Sequence, residues 1–162
     1  MSLYFPERPM SSLKHAPRIS IIASRYNQSF VEVMLEQAKQ ELFAIVPTTK
    51  IEVTRVQGAF EIPVIANMVA KHHSPDAIIA LGVILQGETA HARLIGTAIT
   101  DALMRLSLDH SLPVIHEVLL LEHAEQAAER CLSDSVNRGV EAARAAFVAI
   151  EAARKVKGEI YL

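Results

Sequence analysis

The sequence predicts a single α/β domain in which a parallel sheet lies between layers of helices. Strand-like and helix-like segments alternate along the 162 residues, as expected of consecutive β-α-β units. The predicted strands are rich in apolar residues, most clearly at Arg18–Ser24 and Asp76–Val83, which is typical of strands buried on both faces. The length fits one hydrophobic core. We expect residues 1–17 to form an extended tail and residues 18–162 to form the domain.

The strands are predicted from short apolar runs bounded by polar residues or proline. The clearest run is DAIIALGV, which begins at Asp76. The four strands are expected at Arg18–Ser24, Ile51–Val56, Asp76–Val83 and Pro113–Leu119.

The helices are predicted from apolar residues at helical spacing and from residues that favour helix ends. Ser29 and Glu32 have the spacing of a capping box at the start of the first helix, which Pro47 terminates. Pro63 suits the first turn of the second helix. The helices are expected at about 29–43, 63–72, 90–108, 122–132 and 137–155.

Composition excludes several classes of protein. An apolar content of 51% with a net charge of −2 excludes a disordered chain, and 16 basic against 18 acidic residues give no overall attraction to nucleic acid. The longest apolar run, Ala77–Leu85, is shorter than the roughly 20 residues of a membrane span. The first residues lack the apolar segment of a secretory signal, so we expect a cytoplasmic protein. Cys131 is the only cysteine, which excludes an internal disulfide.

Polar and aromatic residues follow every predicted strand. In an open parallel sheet, ligands bind beyond the carboxyl ends of the strands, so these segments are the candidate site. They are Arg25–Asn27, Gln57–Pro63, Gln86–His91 and, within and after the fourth strand, His116, Glu117 and Glu122.

Two features around the third strand have alternative interpretations. Gly87, Glu88 and Thr89 precede a predicted helix, where free backbone N–H groups form either a phosphate cradle or an ordinary helix cap. No Gly-Lys-Ser/Thr or G-x-G-x-x-G motif is present, which argues against a nucleoside triphosphatase and a dinucleotide site. His91 is either a proton carrier at the edge of the sheet or an exposed helix residue.

The local sequence does not decide the roles of the other candidate residues either. His116 lies in an apolar strand and is either a hydrogen-bonded core residue or a ligand-facing group. Arg130 is either a phosphate anchor or a surface charge, and periodicity does not decide. The seven histidines do not have the spacing of a metal-ligand set, so no metal site is expected.

Five segments, in the same order, resemble lumazine synthase. They are Arg25–Asn27, Gln57–Pro63, Ala80–His91, Glu125–Arg130 and Asn137–Ala143, within a similarity from about Arg18 to Ile150. The resemblance implies a flavodoxin-like, three-layer α/β/α sandwich with a four-stranded parallel sheet. It also implies a homo-oligomer with sites between neighbouring subunits of a pentamer, and we expect the tail before Pro17 to contact a neighbour.

The activity implied by the resemblance is that of a transferase, 6,7-dimethyl-8-ribityllumazine synthase of riboflavin biosynthesis. This family condenses 5-amino-6-ribitylaminouracil with 3,4-dihydroxy-2-butanone 4-phosphate and releases phosphate, without a metal or an organic cofactor. The partners to expect are small-molecule substrates and other copies of the chain, with riboflavin synthase as a further candidate, and neither nucleic acid nor a membrane.

The resemblance also implies a role for each matching residue. Tyr26 would stack on the pyrimidine, the segment Ala59, Phe60 and Glu61 would contact the ribityl chain and the ring, and the backbone of Val83, Ile84 and Leu85 would read the ring edge. His91 would transfer protons. The expected phosphate ligands are Gly87, Glu88, Thr89 and Arg130, and His116 stands where a phenylalanine commonly contacts the substrate.

Several positions depart from the family pattern. Gln57 replaces a proline, Ala92-Arg93-Leu94 replaces an aromatic and acidic run, and Cys131–Val136 lacks the usual glycines and lysine. His116 and the altered run after His91 leave open a lumazine- or flavin-binding paralogue with weak catalysis. A third hypothesis is a structural shell protein, because some members of the family close into hollow icosahedra.

Overall fold

Four parallel strands form the central layer of the computed structural model, which describes residues 6–10, 13, 15–87, 89–133 and 137–159. Their order in the sheet is β2-β1-β3-β4, the order of a flavodoxin-like sheet. The strands are β1 Arg18–Ser24, β2 Lys50–Val56, β3 Ala77–Leu85 and β4 Val114–Leu121.

Helices cover both faces of this sheet. The helices α1, α4 and α5 pack on one face, and α2 and α3 pack on the other. Their bounds are α1 Gln28–Ile45, α2 Ile62–His72, α3 His91–His110, α4 Ala124–Cys131 and α5 Arg138–Val156, and a single 3₁₀ turn covers Ala59–Glu61. The predicted three-layer α/β/α class is therefore confirmed. Within the described ranges, no helix has both the length and the apolar character needed to cross a membrane.

Successive side chains along each strand point to opposite faces of the sheet, and this divides the hydrophobic core into two halves. Ile21 points to one face, where it clusters with Met34 of α1 and Phe147 of α5. Ile22 points to the other face and clusters with Ile62 and other residues of α2 and α3. All these side chains are fully buried, as expected of strands covered on both faces.

The third strand is longer than the sequence pattern predicts. The expected end was Val83, but β3 continues to Leu85, which is in register with Leu121 of β4. The N–H of Gln86 then donates to the carbonyl of Leu121 over 2.7 Å. Pairing with the neighbouring strand thus carries β3 towards the loop that holds the candidate phosphate residues.

The start of α1 also differs from the prediction. The capping box of Ser29 and Glu32 is wrong, because α1 already begins at Gln28 and Asn27 occupies the N-cap position. Asn27 has a left-handed backbone, with φ of 56°, and its carbonyl accepts from the N–H of Phe30. The expected start of the second helix is confirmed, since Pro63 lies in the first turn of α2.

The described part of the tail is held against the domain by the buried carboxylate of Glu41. Arg8 Nε donates to Glu41 Oε1 over 2.9 Å, and Arg144 Nε donates to the same oxygen over 2.7 Å. Arg144 also donates to the carbonyl of Pro6. The hydrogen bond from Arg8 is the largest cause that lowers the pKa of Glu41. These contacts lie within one chain, so contact of the tail with a neighbour stays a prediction.

Candidate functional site

A cavity of about 610 Å³ opens at the carboxyl ends of β1, β2 and β3. Its volume is within the usual range for small-molecule sites. We call it the strand-end cavity, and it is lined by Tyr26, Asn27, Gly58, Ala59, Phe60, Glu61, Val83, Ile84, Leu85, His91 and Ile95. The cavity therefore brings together eight of the predicted site residues from three separate segments.

Two exposed aromatic rings form part of the cavity wall. Tyr26 is 60% exposed and Phe60 is 61% exposed, even though both side chains are large and mostly apolar. Gly58 permits the close approach of the Tyr26 ring, since an added Cβ would lie 3.2 Å from Tyr26 Cδ2. Exposed rings in a concave site offer flat apolar faces on which a planar ligand can stack.

The 3₁₀ turn after β2 is held by one of its own candidate residues. The N–H of Gly58 donates to Glu61 Oε2 over 2.5 Å. This bond places the Glu61 carboxylate at the cavity wall and orients Ala59 and Phe60 at the same time. Glu61 thus has a structural role besides any contact with a ligand.

Asn27 is a cavity residue whose contact was missed in the sequence. Its side-chain N–H donates to the carbonyl of Val83 over 2.7 Å, so it ties the loop after β1 to the end of β3. The signal was present, because Asn is one of the few residues that adopts a left-handed backbone without much strain. Ile95 of α3 was also missed, since nothing in its helical spacing distinguishes a cavity residue from a core residue.

His91 lies at the first position of α3 and faces the strand-end cavity. Its N–H is 3.4 Å from Thr89 Oγ1, which accepts the hydrogen bond. An added Cβ on Gly87 would meet no atom of the described residues beyond its chain neighbours within 4 Å. Glu88 lies outside the described residues. The N-cap position of α3 is Ala90, which makes no side-chain cap hydrogen bond. Phosphate binding by this loop stays a prediction.

Arg130 and His116 do not line the strand-end cavity. Arg130 of α4 lines a second cavity of about 310 Å³, which we call the α4 recess, together with Glu122, Gln126 and the last residues of β4. His116 of β4 lies instead beside Thr100 of α3, with His116 Nε2 2.8 Å from Thr100 Oγ1. The predicted site residues therefore lie in three places in a single chain: the strand-end cavity, the α4 recess, and the part of β4 beside Thr100.

A half-buried carboxyl group lies near Arg130 and Arg138. Glu117 is adjacent to His116 on β4 and therefore faces the opposite side of the sheet, towards α4 and α5. Burial raises the pKa of Glu117 to about 7, although the positive charges of Arg138 and Arg130 oppose this shift. The nearby Cys131 thiol is buried, and burial raises its pKa to about 11, which makes it a poor nucleophile. Within the described residues, no group of three His, Cys, Asp or Glu side chains could hold a metal ion.

Comparison with known proteins identifies the family. A sequence model described as 6,7-dimethyl-8-ribityllumazine synthase matches residues 16–154, which include all the predicted site residues. The chain belongs to the 6,7-dimethyl-8-ribityllumazine synthase family. Membership of this family confirms the resemblance seen in the five sequence segments.

Relatives in the 6,7-dimethyl-8-ribityllumazine synthase family are similar over most of their length. The protein of that name from Xanthomonas oryzae pv. oryzae (strain PXO99A) is 39% identical over 131 residues, which are 80% of this chain and 85% of that protein. The one from Stenotrophomonas maltophilia (strain R551-3) is 36% identical over 131 residues, or 80% and 84% of the two chains. The one from Yersinia pestis (strain Pestoides F) is 35% identical over 143 residues, or 87% and 92%.

Proposed function

We propose that this protein is a 6,7-dimethyl-8-ribityllumazine synthase, a transferase of riboflavin biosynthesis. It condenses 5-amino-6-ribitylaminouracil with 3,4-dihydroxy-2-butanone 4-phosphate and releases phosphate. The observation that carries the proposal is the strand-end cavity, in which two aromatic rings, the end of β3 and His91 converge in a chain of this family. The reaction joins an amine to a ketone, so most of the rate would come from holding the two reactants together.

The pyrimidine substrate occupies the strand-end cavity. Tyr26 stacks on its ring, and the exposed face of Tyr26 supports this role. The backbone groups of Val83, Ile84 and Leu85 read the ring edge, while Ala59, Phe60 and Glu61 contact the ring and the ribityl chain. Because Glu61 already accepts a hydrogen bond from Gly58, one carboxylate oxygen keeps the turn in place and the other is available to the ligand.

The four-carbon substrate lies at the start of α3. Gly87, Glu88 and Thr89 lie beside its phosphate, where the helix N-terminus favours negative charge. His91 takes and gives the protons needed for imine formation, phosphate elimination and ring closure. Arg130 binds the phosphate through charge-assisted hydrogen bonds. The amine of the pyrimidine is the nucleophile, so the proposed reaction needs neither a metal nor an organic cofactor.

Neighbouring copies of the chain complete each site. His116 and Arg130 lie outside the strand-end cavity of their own chain, and this separation supports a homo-oligomer in which the second copy contributes them. We propose a pentamer, the arrangement implied by the family resemblance. Several large apolar side chains are exposed in the single chain and would be covered by a neighbour: Val64, Met68, Leu94, Met104 and Leu108.

Mixed assemblies test the shared site directly. A His91→Ala chain retains an intact Arg130, and an Arg130→Ala chain retains an intact His91. If each site combines two copies, random co-assembly of equal amounts makes about a quarter of the sites fully intact. Lumazine formation well above that of either variant alone is expected. Activity of the mixture equal to the average of the two separate variants would place both residues in the same chain's site.

Product formation from the two substrates tests the activity itself, followed by the absorbance of the lumazine. Binding of lumazine or flavin without turnover would favour the paralogue, and native mass separates a pentamer from a decamer or an icosahedral shell. We further propose a cytoplasmic protein, because the one cysteine is buried and unpaired. Riboflavin synthase is a second partner to test, by co-purification with the assembled protein.

A further inference from the structure

Both ring nitrogens of His116 have hydrogen-bond partners within the chain. The N–H of Val118 donates to His116 Nδ1 over 3.2 Å. On the other side of the ring, Nε2 lies 2.8 Å from Thr100 Oγ1. Thr100 Oγ1 also lies 2.9 Å from the carbonyl of Gly96, to which it donates because a carbonyl only accepts.

These three contacts fix the protonation state of the imidazole. Since Nδ1 accepts a hydrogen bond from an N–H, it carries no proton. Since the single hydroxyl hydrogen of Thr100 goes to Gly96, its oxygen must accept from Nε2–H. The network therefore assigns His116 to the neutral tautomer with its proton on Nε2. A second proton on Nδ1 would face the N–H of Val118.

The surroundings of His116 also disfavour a charge. Burial is the largest cause that lowers the pKa of His116. The strand β3 on one side of β4 is entirely apolar, and Glu117 faces the opposite side of the sheet. From α3, the charged residue Asp101 lies with Thr100 in a cavity of about 270 Å³ beside β4. His116 thus presents a flat, uncharged ring whose nitrogens are already occupied.

We propose that Thr100 is a positioning residue for the pyrimidine site. Its hydroxyl holds the ring of His116 in one plane and one tautomer, so that the ring presents an uncharged aromatic face. This inference rests on the proposed function, in which His116 of one copy contacts the pyrimidine bound to its neighbour. A ring with both nitrogens occupied offers its face to the ligand and no hydrogen bond. The hydroxyl of Thr100 acts through His116 and does not itself touch the substrate.

Two substitutions of nearly equal size separate the hydroxyl from the shape of the side chain. Thr100→Val removes the acceptor for Nε2–H, and we expect the KM for the pyrimidine to rise about three- to tenfold with little change in kcat. Thr100→Ser keeps the hydroxyl and should restore KM to within about twofold of the wild-type value. Thr97→Val is the matched control, since Thr97 lines the same cavity and is one turn away on α3. An equal rise of KM in the Thr97 and Thr100 variants would overturn the proposal.

A double-mutant cycle shows whether Thr100 acts through His116. The His116→Phe variant has no ring nitrogens, and Thr100→Val should then add no further change in KM, whatever the effect of His116→Phe alone. If Thr100→Val raises KM by the same factor in the His116→Phe background as in the wild type, Thr100 does not act through His116.

Nitrogen NMR of ¹⁵N-histidine-labelled, assembled protein tests the tautomer without any substrate. We expect His116 to be a single neutral Nε2–H form in the wild type. Comparable amounts of both tautomers in the wild type would contradict the inference. This readout keeps the two proposals separate, because a wild-type protein that makes no lumazine refutes the proposed function and leaves the tautomer result standing.

Discussion

Asn27 and Val83 are joined by a 2.7 Å hydrogen bond from the side-chain amide of one to the main-chain carbonyl of the other. The bond crosses from the loop after β1 to the end of β3, and both residues line the strand-end cavity. Asn27 makes this contact from a left-handed backbone with φ of 56°. Two walls of the cavity are therefore fixed relative to one another before any ligand binds.

Substitutions at Asn27 separate the hydrogen bond from the backbone conformation. Asn27→Gly loses the hydrogen bond, which is worth about 1 kcal/mol, but glycine adopts the left-handed conformation freely. Asn27→Ala loses the same bond and keeps a Cβ without the polar group that lets Asn tolerate this conformation, which costs about 1–2 kcal/mol more. We therefore expect the free energy of unfolding to fall in the order wild type, Asn27→Gly, Asn27→Ala, as measured by denaturant titration at one protein concentration. Equal stability of the two variants would show that the left-handed backbone is not maintained.

Gly139 lets the backbone of α5 approach that of α1 closely. An added Cβ there would lie 2.0 Å from the main-chain oxygen of Met34, and backbone atoms of two packed helices cannot shift separately. We expect Gly139→Ala to lower the free energy of unfolding by about 3 kcal/mol or more, or to prevent folding. Gly87→Ala is the matched control, since no atom of the described residues beyond its chain neighbours lies within 4 Å of its added Cβ. Thermal unfolding of the two variants measures the difference, and a Gly139→Ala protein as stable as Gly87→Ala would refute this packing.

Most of the fold follows from local sequence patterns because the two central strands, β1 and β3, are buried on both faces. Continuous apolar runs predict β1 and β3, and Pro63 correctly predicts the first turn of α2. The patterns fail where a tertiary contact decides. The end of β3 at Leu85 depends on pairing with Leu121 of β4. The start of α1 depends on the left-handed Asn27, which no capping box predicts.

The sequence predicts the candidate site residues that follow strand ends. It does not predict which other side chains the remaining candidates contact. Tyr26 and His91 lie in the segments that follow β1 and β3, and the parallel sheet brings them into one cavity. The pattern left His116 open, because only the structure shows Val118 and Thr100 beside its ring nitrogens. Arg130 stayed undecided because one chain does not bring it to the cavity.

Glu117 makes the stability of the protein depend on pH. The folded state raises its pKa from an ordinary 4.5 to about 7, so between these values the folded protein binds more protons than the unfolded chain. Stability therefore falls as the pH rises through this window and stays low above it. Charged Glu117 faces Arg138, Arg130 and Glu141, and its burial outweighs the two arginines.

The Glu117→Gln variant removes this pH dependence. At pH 8 we expect it to be more stable than the wild type, by at most about 3 kcal/mol. Near pH 4 the two proteins should be nearly equal, because Glu117 is then protonated in both states. Unfolding at equal protein concentration over this pH range measures the effect. A wild-type protein that becomes more stable than Glu117→Gln on raising the pH would reverse the sign and refute the assignment.

Arg130 is expected to act on one substrate only. Arg130→Ala should raise the KM of the four-carbon phosphate and lower kcat/KM about ten- to a hundredfold, with pyrimidine binding largely unchanged. Arg130→Lys should recover only part of the loss, since lysine lacks the planar pair of donors. Lys157→Ala, at the exposed end of α5, controls for the loss of a positive charge. Equal weakening of both substrates would indicate a defect in folding or assembly instead.

His91 is expected to transfer protons and not to bind a metal. Its side chain faces the strand-end cavity from the first residue of α3. General acid–base catalysis contributes typically 10²–10⁴-fold, but positioning dominates here, so we expect His91→Ala to lower kcat about ten- to a hundredfold. Assembly should be intact by native mass, added imidazole should restore part of kcat, and chelators should have no effect on the wild type. His72→Ala, at the exposed end of α2, is the control for loss of an imidazole. If an assembled His91→Ala protein turns over at the wild-type rate across the pH range, His91 takes no part in the chemistry. The positioning of the two substrates would then account for the whole rate enhancement.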